Sequence, residues 1–198
     1  MADWDFPIGF IEAGVGTDLD GDNAVGSGTA PTFVYSQGDN YKIDGSLKSI
    51  SALRDAEDYL DGWHSQAFPT TAWANSSYLY GNLKDSAANL SNSSTISSTE
   101  LGNIEGDLTV EDLGSSPAEL STLQAIKASF SGSNFIYYGV KGTTKDLADS
   151  RSGAYDWIDN ITASGSPSVK QATITDLSMS ATNTAALVSG LTLSLIHI

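Results

Sequence analysis

The sequence predicts an α+β fold: a small helical bundle preceded by short N-terminal strands, carrying one inner strand, and running into strand-forming sequence towards its C-terminal end. Three observations carry that expectation. Leu47, Ile50, Leu53, Ala56, Leu60, Trp63 and Ala67 recur at steps of three and four, the period of a helix with one buried face. Asn134 to Val140 is a short aromatic and β-branched run between turn residues, as a buried strand requires. Beyond Val169, Leu177, Met179 and Ala181 alternate with Ser178 and Ser180, the period of a half-buried strand. With 198 residues, 40% of them hydrophobic, the chain can bury a sizeable core, so wholesale disorder is excluded.

Each element has a local reason. Two short strands, near Phe6–Ile11 and Thr32–Ser36, flank a stretch from Gly14 to Asn40 dense in Gly, Asp, Asn, Ser and Thr. A helix over Ser46–Gln66 follows, frayed by Gly62 and stopped before Pro69. Leu79, Leu83, Ala87 and Leu90 repeat the helical spacing and predict a second helix over Ser77–Leu90. Leu101, Ile104 and Leu108 allow a short helix, which Gly102 and Gly106 each weaken by about 1 kcal/mol relative to alanine. Ser116-Pro117-Ala118-Glu119 reads as a capping box with proline at the first helical position, opening a helix over Pro117–Ser129. Thr143 caps another over Thr144–Ile161. Leu53, Leu60, Leu83, Leu123, Ile126, Trp157 and Ile158 are the expected bundle core, with Phe135–Val140 packed on it. Gly165-Ser166-Pro167-Ser168 reads as a hinge.

Charge and composition narrow the function. Twenty-four acidic against nine basic residues give a net charge of −15, and the scattered lysines and arginines offer no phosphate-binding patch, so nucleic acid and anionic membrane are excluded as partners. Cysteine is absent, which removes thiolate metal sites, disulfides and cysteine nucleophiles. The first residues carry acids and a proline where a signal peptide needs a basic end and an apolar run, and no apolar stretch reaches bilayer length. A chain without a signal peptide or membrane insertion is therefore expected.

The candidate sites are few. Asp18-Leu19-Asp20-Gly21-Asp22-Asn23 places three carboxylates at alternate positions of a Gly-containing loop, the donor set a hard ion such as calcium requires. Asp18, Asp20 and Asp22 are its expected ligands, although glycine stands fourth and Thr29 twelfth where an EF-hand loop has glycine sixth and glutamate twelfth. Glu57, Asp61 and His64 stand one helical turn apart and would hold a divalent cation if they faced one way; otherwise they are a solvated face ending in a helix-terminal histidine. Gly14-Val15-Gly16 and Gly26-Ser27-Gly28 complete no nucleotide fingerprint, and no Gly-x-Ser-x-Gly or His-Glu-x-x-His motif occurs. No catalytic or cofactor-binding set emerges. Trp73, Tyr78 and Tyr80 would suit a sugar platform but read better as core.

Two resemblances extend this reading. Met1-Ala2-Asp3-Trp4-Asp5-Phe6-Pro7 resembles the start of some tailed-phage virion proteins of the fibre and tail-accessory kind. Ala172 to Thr182, followed by Ala185-Ala186-Leu187-Val188, resembles the first two strands of a fibronectin type III or immunoglobulin-like module, without the tryptophan usual in the second strand. Together they imply a docking segment over residues 1–43, a helical body over 44–163, and a hinge with an incomplete, truncated β-sandwich module over 164–192. They imply a homo-oligomeric structural or attachment subunit of a virion, assembled in the host cytoplasm, whose partners are other virion subunits or a host-surface glycan. The alternative is a carbohydrate-active enzyme or carbohydrate-binding surface protein using acidic and aromatic residues. Residues 193–198, Leu-Ser-Leu-Ile-His-Ile, read as an in-frame translation of the transposon end used in sequencing libraries, which would place the last natural residue near Thr192.

Overall fold

The computed structural model describes residues 3–28, 40–67, 78–112, 117–150, 171–176 and 196–197. Strands and helices alternate along them. In chain order they are β1 (Asp3–Pro7), α1 (Ile8–Val15), β2 (Asn40–Leu47), α2 (Ile50–Ala67), β3 (Tyr78–Asp85), α3 (Ala87–Leu90), α4 (Ser98–Gly102), β4 (Leu108–Val110), β5 (Ala118–Glu119), α5 (Leu120–Ser129), β6 (Phe135–Tyr137), β7 (Gly139–Gly142), α6 (Thr144–Asp149), β8 (Gln171–Ile174) and β9 (Ile196–His197). Every strand pairing among them is parallel, and within each sheet the strands stand in chain order. The first sheet runs β1-β2-β3-β4-β6 and the second β5-β7-β8-β9. Such an order is that of a solenoid, in which each strand-and-helix turn stacks on the one before.

Register defines the repeat. Trp4 lies beside Tyr41 and Tyr41 beside Tyr78, 37 residues apart each time. Leu83 lies beside Leu108 and Leu108 beside Phe135, 25 and 27 residues apart. Inward positions therefore stack like on like. Trp4 and Phe6, Tyr41 and Ile43, Tyr80 and Leu83, Leu108 and Val110, and Phe135 and Tyr137 are all buried. Phe10 and Ile11 of α1, Leu53, Ala56 and Leu60 of α2, and Leu123 and Ile126 of α5 close over them. Trp4 stacks on Tyr41 at 5.4 Å between ring centroids, and Trp63 meets Phe6 edge-on at 5.3 Å, both aromatic geometries that add to area burial.

A glycine stands at the same place in three successive turns, Gly45, Gly81 and Gly106, and in the next turn Gly132 lies one position before it, with Ser133 beside Gly106. The Gly106 amide donates to Gly81 O at 2.9 Å, and Ser133 N donates to Gly106 O at 2.8 Å. A Cβ on Gly106 would lie 2.6 Å from Gly81 O, and one on Gly81 would overlap Gly45 O. Turn-to-turn stacking at this corner therefore requires glycine.

Helix ends are tied across turns in the same way. Asp85, at the end of β3, accepts from Ile50 N at the start of α2; Asp112 accepts from Ala87 N at the start of α3; Asp176 accepts from Thr144 N at the start of α6. In each case an aspartate after one strand satisfies an open amide of the previous turn's helix.

The mixed helix-and-strand class holds, and Leu53, Leu60, Leu83, Leu123 and Ile126 are core as predicted. The centre differs: parallel sheets, not helix-helix contacts, organise the interior, and the helices cover one side of them. Where a helix over Ser77–Leu90 was predicted, Tyr78–Asp85 is strand β3 and Ala87–Leu90 the short α3, because Tyr80, Leu83 and Asp85 are buried in the sheet and the strand pairs with β2 and β4. Ser46 and Leu47 belong to β2, and Ile8–Val15 is a helix closed by Gly16 at φ 76°, where a strand over Phe6–Ile11 was expected. Ala118–Glu119 pairs with β7, so α5 starts at Leu120 and Glu119 makes no side-chain cap. The functioning capping box is instead Ser97 with Glu100, opening α4. Thr143 does cap α6, its side chain accepting from Asp146 N. Phe135–Val140 divides into β6 and the start of β7. Of the expected β-module, β8 pairs in parallel with β7 and β9; Leu177, Met179 and Ala181 lie outside the described residues, as do Thr32–Ser36, Ser116, Trp157 and Ile158.

Candidate functional site

The predicted acidic loop leaves α1 through Gly16 and returns towards β2. Within it Asp18 Oδ1 accepts from Gly21 N at 2.6 Å, Asp20 Oδ1 from Asp22 N at 3.0 Å, and Asp22 Oδ1 from Ala24 N at 2.8 Å. These are successive Asx turns, which the Asp-x-Asp-x-Asp spacing favours. Gly21 and Asn23 carry the positive φ angles the path needs, 89° and 69°. Lys48 reaches in from the end of β2, pairing with Asp18 Oδ2 at 3.3 Å and donating to its carbonyl.

Glu12 is the residue that sequence reasoning missed. It is buried among the apolar residues of α1, 2% exposed, and its carboxylate gathers the loop. Oε1 accepts from Leu19 N at 2.8 Å and Asp20 N at 3.2 Å, and Oε2 accepts from Gly26 N at 2.9 Å. Glu12, Asp18 and Asp20 bring one oxygen each within 4.8 Å of one another, the one such acidic group among the described residues. Asp22 falls outside that trio. The only signal for Glu12 in the sequence is an acid following Phe10-Ile11, since the seven residues between it and Asp20 hide their proximity.

Electrostatics within the loop are uneven. The Gly21 amide, with Lys48 beyond it, outweighs desolvation and holds the Asp18 carboxyl below the usual aspartate range. Asp20 moves the other way. The Asp22 amide pulls it down, but desolvation and the charges of Glu12, Asp22 and Asp18 together raise it. Three carboxylates converging on one point can take a hard cation; Glu12 already has three amide donors and anchors the loop in any case.

Glu57, Asp61 and His64 do not converge. Glu57 Oε1 accepts from Tyr80 OH and Asp61 Oδ1 from Tyr78 OH, both at 2.5 Å, while His64 is buried with Nδ1 against Tyr41 OH. Tyr80 is 1% exposed, a core residue and no sugar platform; Trp73 lies outside the described residues. Burial and the neighbouring acids raise both phenols. Arg54 bridges Glu57 at 2.6 Å and Glu100, and donates to Thr95 O at 2.7 Å.

Among the described residues no helix covers the opposite side of the first sheet. Asp5 and Pro7 of β1 and Asp44 and Ser46 of β2 are exposed, and Lys42, Leu79, Asn82, Lys84 and Thr109 are half-buried between the inward positions. Parallel sheets ordinarily have both faces covered, so an uncovered polar face is a property of the solenoid. Polar side chains ladder across it. Asn82 Nδ2 donates to Ser46 Oγ at 3.1 Å, Asp107 N donates to Asn82 Oδ1 at 2.7 Å, and Asn134 Nδ2 donates to Asp107 Oδ1 at 2.7 Å. Lys42 pairs with Glu105 at 3.0 Å and Lys84 with Glu111 at 3.5 Å. Lys42, Asp44, Asn82 and Glu105 wall a depression of about 410 Å³ over the floor made by Gly45, Gly81 and Gly106.

No protein-family model, curated protein or solved structure matches this chain. Among the described residues no helix is long and apolar enough to cross a membrane.

Proposed function

We propose that this chain is a non-enzymatic structural or attachment subunit that works through the open face of its solenoid. The observation that supports this reading most is the polar ladder from Ser46 through Asn82 and Asp107 to Asn134, which runs across successive turns on the side the helices leave uncovered. Stacked repeats present extended surfaces of this kind, and such surfaces bind by area. On the same reading a calcium ion, where bound, is a structural staple of the loop after α1, held by Asp18 and Asp20 with Glu12, and Asp22 contributes to the loop's turns.

Membership of a phage particle, with homo-oligomeric assembly and other virion subunits or a host glycan as partners, is the finer form of the proposal. Its support is the resemblance of Met1–Pro7. Sequencing the genes beside this one tests it: portal, capsid or tail genes are expected, and a cluster of metabolic enzymes overturns it.

A further inference from the structure

We propose that the depression over the glycine floor seats a lysine- or arginine-bearing segment of a partner protein, whose cationic side chain enters between Asp44 and Glu105. The inference rests on the binding role proposed for the open face and adds the chemistry of the occupant. Three things support it. The first is local charge: Lys42 pairs with Glu105 at 3.0 Å, and Asp44 in the same depression, with Asp5 on the neighbouring strand, acts on that one ammonium too, so three carboxylates stand against one cation. Lys84, the other lysine on this face, is already paired with Glu111. A second cation entering here meets a net negative site, and the overall charge of −15 steers it in.

The second is shape. Gly45, Gly81 and Gly106 carry no side chains, so the stem of a long cationic residue can lie directly on the backbone between the acidic walls. The third is extent. Carboxylates flank the face from Asp5 on β1 and Asp44 on β2 to Glu105 and Glu111 on either side of β4, with Lys84 on β3 between them. That distance covers three strand intervals, roughly 14 Å at about 4.8 Å each, and matches several residues of an extended peptide better than one small cation.

The test uses the full chain and a synthetic twelve-residue peptide of alternating lysine and serine, followed by calorimetry at two salt concentrations. Binding that weakens with salt is expected, and Asp44→Asn with Glu105→Gln should weaken it about tenfold or more. The control pair Asp55→Asn with Asp58→Asn makes the same charge change on the exposed face of α2 and should alter affinity less than about twofold. Asp44→Asn alone, at an exposed position, keeps the experiment interpretable if the double variant unfolds; it should still weaken binding. Equal loss in the control pair means unspecific attraction and overturns the proposal, as does absence of peptide binding by the unaltered chain. Spermidine or calcium binding at the same residues as tightly as the peptide also overturns it, by making the depression a small-cation site. None of these outcomes touches membership of a phage particle, which the neighbouring genes test separately.

Discussion

Oδ2 of Asp85 accepts the backbone amide of Ile50 at 2.8 Å across 35 residues of chain, so the end of one strand caps the helix of the preceding turn. The other oxygen of the same buried carboxylate accepts from Ser86 N and Asn89 Nδ2, both at 2.7 Å. One side chain thus fastens α2 and the segment that opens α3 to the end of β3.

Asp85→Ala should therefore lower stability by about 1–3 kcal/mol, the range for losing a buried cap together with its charged acceptor. Asp85→Asn, which keeps an acceptor, should lose less. Urea unfolding of the three proteins checks the order, and an alanine variant as stable as the unaltered chain would refute the role given to the cap.

Gly106→Ala and Gly62→Ala should act in opposite directions. The first places a Cβ 2.6 Å from Gly81 O and should destabilise by about 1–3 kcal/mol; the second meets nothing within 4 Å in the middle of α2 and should stabilise by about 0.4–1 kcal/mol. Thermal melts of the pair read the difference directly.

In chelator, Asp20→Asn should raise the melting temperature at neutral pH. The folded-state pKa of Asp20 lies above its ordinary 3.8, so its contribution favours folding below that pH and is lost as pH rises through the folded value. Asparagine keeps an oxygen for the Asp22 amide and removes the charge that Glu12, Asp22 and Asp18 repel. The gain should disappear in acid, where the aspartate is neutral. Added calcium should raise the melting temperature of the unaltered chain by mass action and leave the variant unmoved. Identical curves with calcium and with chelator would remove the ion from the proposal.

Arg54→Ala should cost about 1 kcal/mol, kept small because the guanidinium side chain is 37% exposed. Desolvation pushes Glu100 up, but Arg54 and the Ser97 donors outweigh it and lower its pKa. A lowered carboxyl adds stability above its ordinary 4.5 that fades as pH falls through the folded value, so the variant and the unaltered chain should converge in acid. Melting both proteins across pH 3 to 7, about the range over which carboxylates titrate, measures the convergence.

Helical spacing made α2 legible, and Leu123 and Ile126 mark the buried stripe of α5. The same logic misread β3. Leu79, Leu83, Ala87 and Leu90 fit a helix, but Tyr78 and Tyr80 suit a strand, and pairing with β2 and β4 decides between them. The repeat itself was written in Gly45-Ser46-Leu47, Gly81-Asn82-Leu83, Gly106-Asp107-Leu108 and Gly132-Ser133-Asn134-Phe135. Its unequal spacing hides it from a search for one period. At the acidic loop the Asp-x-Asp-x-Asp pattern located Asp18 and Asp20. Glu12 joins them only because α1 buries the carboxylate facing the returning chain, a fact of packing with no local signature.

Unequal turns stacked strand on strand make the two sides of this molecule unlike as genetic material. Strand partners pair whether 37 residues or 25 separate them, so nearly all of the difference falls outside the strands, a register shift between Ile43 and Ser46 taking up one residue. Insertions and deletions there change the girth of one turn and spare its neighbours where they avoid the contacts that cross turns, such as those of Arg54 with Glu100 and Thr95 O. A lineage carrying this architecture can vary one flank freely while the glycine corner and the open sheet stay fixed, and a peptide tag grafted into the return at Asn92–Ser94 should leave the binding face intact.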